Sequence, residues 1–131
     1  MKYEVMIVDD EISVLHTAKS LLDEANIPTR TALNGLECLR ELEKGFRGLI
    51  LMDIVMPEMD GYDTIQAIIE KGYTKDILIC LLTGQETLES RVEKHQEFVL
   101  DYMKKPIDTK TLVSTVKHYL AYLDPKKSGN F

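Results

Sequence analysis

The sequence predicts an α/β domain built on a parallel sheet of five strands with crossover helices. Short apolar runs alternate with longer stretches of helical period, which is the pattern of repeated strand and helix units. Three of those runs are almost free of polar residues, as strands covered on both faces must be. Charged or hydroxyl-bearing residues follow four of the five runs directly, so the chain carries its chemistry at strand ends.

The first run, Glu4 to Val8, leads into Asp9-Asp10-Glu11. Ile12, Leu15, Ala18, Leu22 and Ala25 then recur at steps of three and four, which predicts a helix with that stripe toward the core. Thr29 to Leu33 is the second strand, and its polar Thr29-Arg30-Thr31 assigns it to a sheet edge. Leu36, Leu39 and Leu42 mark the second helix. The third strand, Leu49 to Met52, ends in Asp53; Met56, Pro57, Asp60 and Gly61 then form a loop that cannot extend it. Asp60-Gly61 is a turn and helix-start signal, and Ile65, Ile68 and Ile69 carry the third helix.

Ile77 to Leu82 is the fourth strand, ending in Thr83-Gly84. Over 86–96 only Leu88 and Val92 anchor a helix among Glu89, Arg91, Glu93, Lys94 and His95, so this fourth helix is expected to be loosely held and exposed. The fifth strand, Phe98 to Met103, runs into Lys104-Lys105-Pro106. The last helix carries Leu112, Val116, Tyr119, Leu120 and Leu123, with Asp108 or Thr109 as its N-cap and Pro125 as its stop.

At 131 residues the chain is the size of one domain. With no repeat or linker before residue 124, residues 1–123 read as that domain and 124–131 as a solvated tail. Cys38 and Cys80 sit in apolar surroundings without metal-ligand spacing, so they read as reduced core thiols and suit a reducing cytoplasm. No signal-peptide core and no bilayer-length apolar run is present. A net charge of −6, from 22 acidic and 16 basic residues, argues against a nucleic-acid face and for a cation or a basic partner. His16, His95 and His118 fall on separate helices without ligand spacing, and Met52, Met56 and Met59 read as core and loop filler.

Ligands of open parallel α/β sheets bind beyond the carboxyl ends of the strands. The turn after the first strand lacks the glycines of a nucleotide-phosphate cradle and is acidic instead. Two adjacent carboxylates and a third across the site repel one another unless a cation joins them, and an all-oxygen ligand set suits Mg2+.

Asp9-Asp10, Asp53 within Met52-Asp53-Ile54-Val55-Met56-Pro57-Glu58-Met59-Asp60-Gly61, Thr83, and Lys105-Pro106 together resemble the receiver domain of two-component response regulators over residues 3 to 123. The resemblance implies a doubly wound (βα)5, flavodoxin-like fold with strand order 2-1-3-4-5 and helices on both faces. It makes Asp53 the phosphoacceptor, taking a phosphoryl group from a sensor histidine kinase or a histidine phosphotransfer protein. Asp10, Asp53 and the carbonyl of Val55 would hold Mg2+ directly, and Asp9 largely through water. Lys105 would pair with Asp53 and then with the phosphoryl oxygens, and Thr83 would donate its hydroxyl to them. Tyr102 matches the family's switch aromatic, with an ordinary strand tyrosine as the plainer reading, and the bond before Pro106 would be cis. The readout surface would be the fourth helix, the fifth strand and the last helix, controlling a downstream protein not identified by sequence, as a monomer or a phosphorylation-dependent dimer.

The chain departs from the family pattern in two places. Gly84 follows Thr83 where a small alanine is commoner, and Gln96-Glu97-Phe98-Val99 replaces the usual Gly-Ala approach to the fifth strand. Val55 and Gln85, each two residues beyond a site residue, would flank the water that hydrolyses the phosphoryl group, and only the amide of Gln85 could orient it. The alternatives are a haloacid-dehalogenase-type phosphatase, which needs an aspartate where Val55 stands, and a flavodoxin-like binding module that is not phosphorylated. A free-standing adaptor and a receiver cut from a longer regulator both stay open.

Overall fold

The structure, a computed structural model, describes residues 3–84 and 98–124. Five strands, β1 Glu4–Val8, β2 Thr29–Ala32, β3 Gly48–Asp53, β4 Ile77–Thr83 and β5 Val99–Lys104, form one parallel sheet in the order β2-β1-β3-β4-β5. Between and after them lie α1 Ile12–Glu24, α2 Gly35–Glu43, α3 Gly61–Glu70 and α4 Thr109–Leu123, the last of which is the final helix of the sequence. The expected helix over 86–96, Gln85, His95 and the chain from Pro125 lie outside the described residues.

Side-chain alternation along the strands creates two apolar layers. Met6, Val8, Ile50, Met52, Ile79 and Leu81 pack with Cys38 and Leu42 of α2, Ile65 and Ile68 of α3, and the fully buried Phe46. The opposite residues, Val5, Ile7, Leu49, Leu51, Cys80 and Leu82, pack with Leu15 and Leu22 of α1 and Leu112 and Val116 of α4. Each large aliphatic side chain buried this way contributes about 1.5–3 kcal/mol. Because both faces are covered, β1, β3 and most of β4 are buried without alternation, whereas β2 and β5 are the outer strands and carry the exposed positions.

Two stripe residues are corrected. Ile12 is 58% exposed and Leu36 55%, although both fall in register with core-facing neighbours. Each lies in the first turn of its helix, at the end from which the stripe enters the core. Strand ends also move by one residue: β2 stops at Ala32, β3 takes in Gly48 and Asp53, β4 reaches Thr83, and β5 begins at Val99 and takes in Lys104.

The helix starts follow from capping chemistry. The Asn34 side chain accepts from Glu37 N at 2.9 Å, Asp60 and Asp63 form a reciprocal capping box, and Asp108, rather than Thr109, caps α4 by accepting from Thr111 N. Glu11 precedes α1 without a side-chain cap. Gly61 is required by close approach, since a Cβ there would lie 2.5 Å from the carbonyl oxygen of Asp53.

Both cysteines are free and fully shielded, and burial pushes each thiol up to about 12. Since the thiolate is the reactive form, the folded chain is expected to resist iodoacetamide at mildly alkaline pH, while the denatured chain takes up two equivalents. Mass spectrometry checks this, and equal labelling rates in both states would contradict it. No helix among the described residues is long and apolar enough to cross a membrane.

Candidate functional site

Strand register gathers the site. Val8 stands opposite Met52, so Asp9 and Asp53, each the next residue, emerge at the same level from adjacent strands. Asp53 stands opposite Leu82, Leu82 opposite Met103, and Thr83 opposite Lys104. Lys105 is held at the end of β5 by its N–H, which donates to the carbonyl of Thr83 at 2.7 Å, and the Lys105–Pro106 peptide bond is cis. The β3–α3 loop is closed by Gly61 N donating to Ile54 O at 2.8 Å, with Met56 buried beneath it and Val55 exposed.

One oxygen from each of Asp9, Asp10 and Asp53 lies within 4.8 Å of the others. Asp9 and Asp53 are buried, and Asp10 faces solvent. The Lys105 ammonium lies 2.8 Å from Asp9 Oδ2, 3.3 Å from Asp53 Oδ1 and 3.7 Å from Glu11 Oε1. Asp9 Oδ1 accepts from the backbone N–H of Glu11 at 2.9 Å, which ties the buried carboxylate to the entry of α1. Asp9 Oδ2, fully buried, is met by the Lys105 ammonium at 2.8 Å, a charge-assisted contact.

Burial, and after it the charge of Asp9, raises the Asp53 carboxyl to about 7 against the opposing pull of Lys105. Burial by itself would lower Lys105, but contacts with Asp9 and Asp53 outweigh it and hold the ammonium above its ordinary range. The donor set fits a hard divalent cation: oxygens of three aspartates converge within 4.8 Å, one ammonium is shared among them, and the nucleophile candidate is short of positive charge. Asp9, Asp10 and Asp53 are the residues that could hold it.

Thr83 is buried at the end of β4, and Tyr102 on β5 is 40% exposed, with burial of its ring raising its hydroxyl. His16 and His118 are exposed, outside the site. The sequence predicts a Lys105–Asp53 pair and no role for Glu11; in the structure Asp9 is the nearer partner and Glu11 joins it. The adjacency of Glu11 to Asp9-Asp10 was the signal available, but reach to Lys105 depends on how α1 meets the β5–α4 connection.

A family model described as the response regulator receiver domain matches residues 5–117. A transcriptional regulatory protein from Klebsiella oxytoca, ZraR, is 32% identical over 119 residues, which cover 91% of this chain and 26% of that protein. The chain thus spans about a quarter of that relative's length. Protein PilG of Pseudomonas aeruginosa is 25% identical, with 93% of this chain and 90% of that protein covered. Among solved structures, a CheY-like response regulator receiver domain protein from Methanospirillum hungatei superposes with a TM-score of 0.89 at 36% identity, covering 95% of this chain and 99% of that one. Neither the phosphatase nor the non-phosphorylated module is supported by these similarities.

Proposed function

The chain belongs to the response regulator receiver domain family, a family of regulatory domains that take up phosphate and Mg2+, and from that premise we propose that Asp53 is its phosphoacceptor. The donor is a phosphohistidine on a sensor histidine kinase or a histidine phosphotransfer protein, and residues 1–123 are the responding domain. The observation that carries this reading is the buried Asp53 carboxylate at the end of β3, 3.3 Å from Lys105 and within 4.8 Å of carboxylate oxygens of Asp9 and Asp10.

In the reaction a carboxylate oxygen of Asp53 attacks phosphorus as the phosphorus–nitrogen bond of the donor breaks, and the electron pair leaves with the imidazole. Lys105 then turns from the carboxylates to the phosphoryl oxygens, and the Thr83 hydroxyl donates to them. Asp10, Asp53 and the Val55 carbonyl would hold Mg2+, with Asp9 acting through water. When bound, the ion offsets charge on nucleophile and phosphoryl group alike. Movement of Thr83 releases space that Tyr102 follows, altering the surface around β5 and α4 that a downstream protein reads, through a monomer or a dimer formed on phosphorylation. Val55 and Gln85 flank the hydrolytic water and set the lifetime of the signal. The chain catalyses no turnover beyond its own phosphorylation and dephosphorylation, contacts nucleic acid not at all by itself, and works in the cytoplasm.

Beside Lys105, a cleft of about 570 Å³ opens between α1 and the β5–α4 connection, with Val14, Ala18, Ile107 and Leu112 on its walls. Its apolar lining next to the site suits a partner's helix presenting the phosphohistidine. Incubation with acetyl phosphate followed by intact-mass measurement tests the core of the reading. One added phosphoryl group is expected with Mg2+, and none with chelator or in Asp53→Asn. An adduct of equal yield in Asp53→Asn would place the chemistry on another residue.

A further inference from the structure

Three carboxylates surround the Lys105 ammonium, and only two of them, those of Asp9 and Asp53, are buried. The third belongs to Glu11, whose side chain is 63% exposed and whose Oε1 stands 3.7 Å from Nζ. Its backbone is fixed on both sides: the N–H donates to Asp9 Oδ1, and the carbonyl accepts from Val14 N and Leu15 N in the first turn of α1. Glu11 therefore stands on the α1 side of the ammonium, and it also lines the cleft beside Lys105.

The ammonium is closest to Asp9, at 2.8 Å, and farther from Asp53, at 3.3 Å. One cation shared among three anions settles where their summed attraction is greatest. Glu11 adds its pull on the side of α1. A phosphoryl group arriving at Asp53 needs the same ammonium moved toward its own oxygens.

We propose that Glu11 is a positioning residue that acts through Lys105, holding the ammonium toward α1 in the resting site and thereby slowing phosphoryl uptake at Asp53. This rests on the reading of Asp53 as phosphoacceptor. The effect expected of one partly exposed ion pair is a few-fold change in rate.

Glu11→Gln removes the charge. Glu11→Asp keeps it but draws the carboxylate back by one methylene, out of reach of Nζ. Both variants are expected to take up phosphate from acetyl phosphate about threefold faster than the parent at a fixed Mg2+ concentration, with unchanged thermal midpoints. In the metal-free proteins the Lys105 Cε proton resonance, assigned through Lys105→Arg, is expected to move in both variants. If Glu11→Gln is faster while Glu11→Asp matches the parent, a general repulsion of anionic donors is at work and the hold on Lys105 is overturned. Equal rates in all three chains, or an unmoved Lys105 resonance, also overturn it while leaving Asp53 in its role. Absence of any adduct, in the parent as in the variants, removes the reading of Asp53 itself and the inference with it.

Discussion

Lys105→Ala lowers the stability of the metal-free protein by about 2–4 kcal/mol, and Mg2+ restores much of the loss. Asp9 is fully buried and the Asp53 side chain is 5% exposed, so deleting the ammonium leaves two carboxylates in low dielectric with no cation between them. Breaking a buried ion pair by removing one partner costs about 3–5 kcal/mol. The lysine side chain is 19% exposed, which lets water take up part of the deficit and lowers the expectation by about 1 kcal/mol from that range. Urea unfolding of the parent and Lys105→Ala, each with chelator and with Mg2+, measures both quantities. A loss no greater than that of an exposed pair, under about 1 kcal/mol, would mean that Lys105 does not neutralise the buried acids. A variant that Mg2+ fails to stabilise would mean that the three aspartates do not bind the ion.

The second large effect is on the pH dependence of stability. Asp53 has a folded-state carboxyl raised from 3.8 to about 7, by burial first and by Asp9 second. Between those values the native state binds a proton that the unfolded state has released, so stability falls as pH rises through that window. The contribution is fully present below the ordinary carboxyl range and gone above about 7. Asp53→Asn, which keeps the shape and removes the charge, is therefore expected to unfold at a higher temperature than the parent above pH 7 in chelator, with a flatter profile between pH 5 and 8. Added Mg2+ should stabilise the parent more than the variant and narrow the difference. If Asp53→Asn is less stable than the parent throughout that range without metal, the Asp53 carboxylate is a net stabilising group at neutral pH and its raised position is wrong.

The parts of the molecule legible in the sequence are those set by local pattern. Val5 to Val8 and Leu49 to Met52 are apolar on both faces because each face has a helix to meet, and that necessity is written residue by residue. Ile12 and Leu36 are exposed although they share that period, because periodicity marks a face of a helix and not which of its turns is covered by a neighbour. Asp108 and Thr109 were equivalent candidates for one cap until the Thr111 N–H was found to point at Asp108.

The site divides in the same way. That Asp9, Asp10, Asp53, Thr83 and Lys105 lie at one end of the sheet was legible, since each stands at or just past the carboxyl end of a strand and parallel strands bring those ends to one edge. How they share charge was not. Sequence by itself determined the alternation of strands and helices, the identity of the edge strand β2, and the set of groups delivered to one end of the sheet. These follow from side-chain period and chain direction, which are local. Only the tertiary structure decided that Lys105 lies nearer Asp9 than Asp53, that Glu11 reaches the same ammonium, and that burial raises the Asp53 carboxyl. Those depend on ångström differences between residues far apart in the chain, which strand register and the packing of α1 against the β5–α4 connection set together.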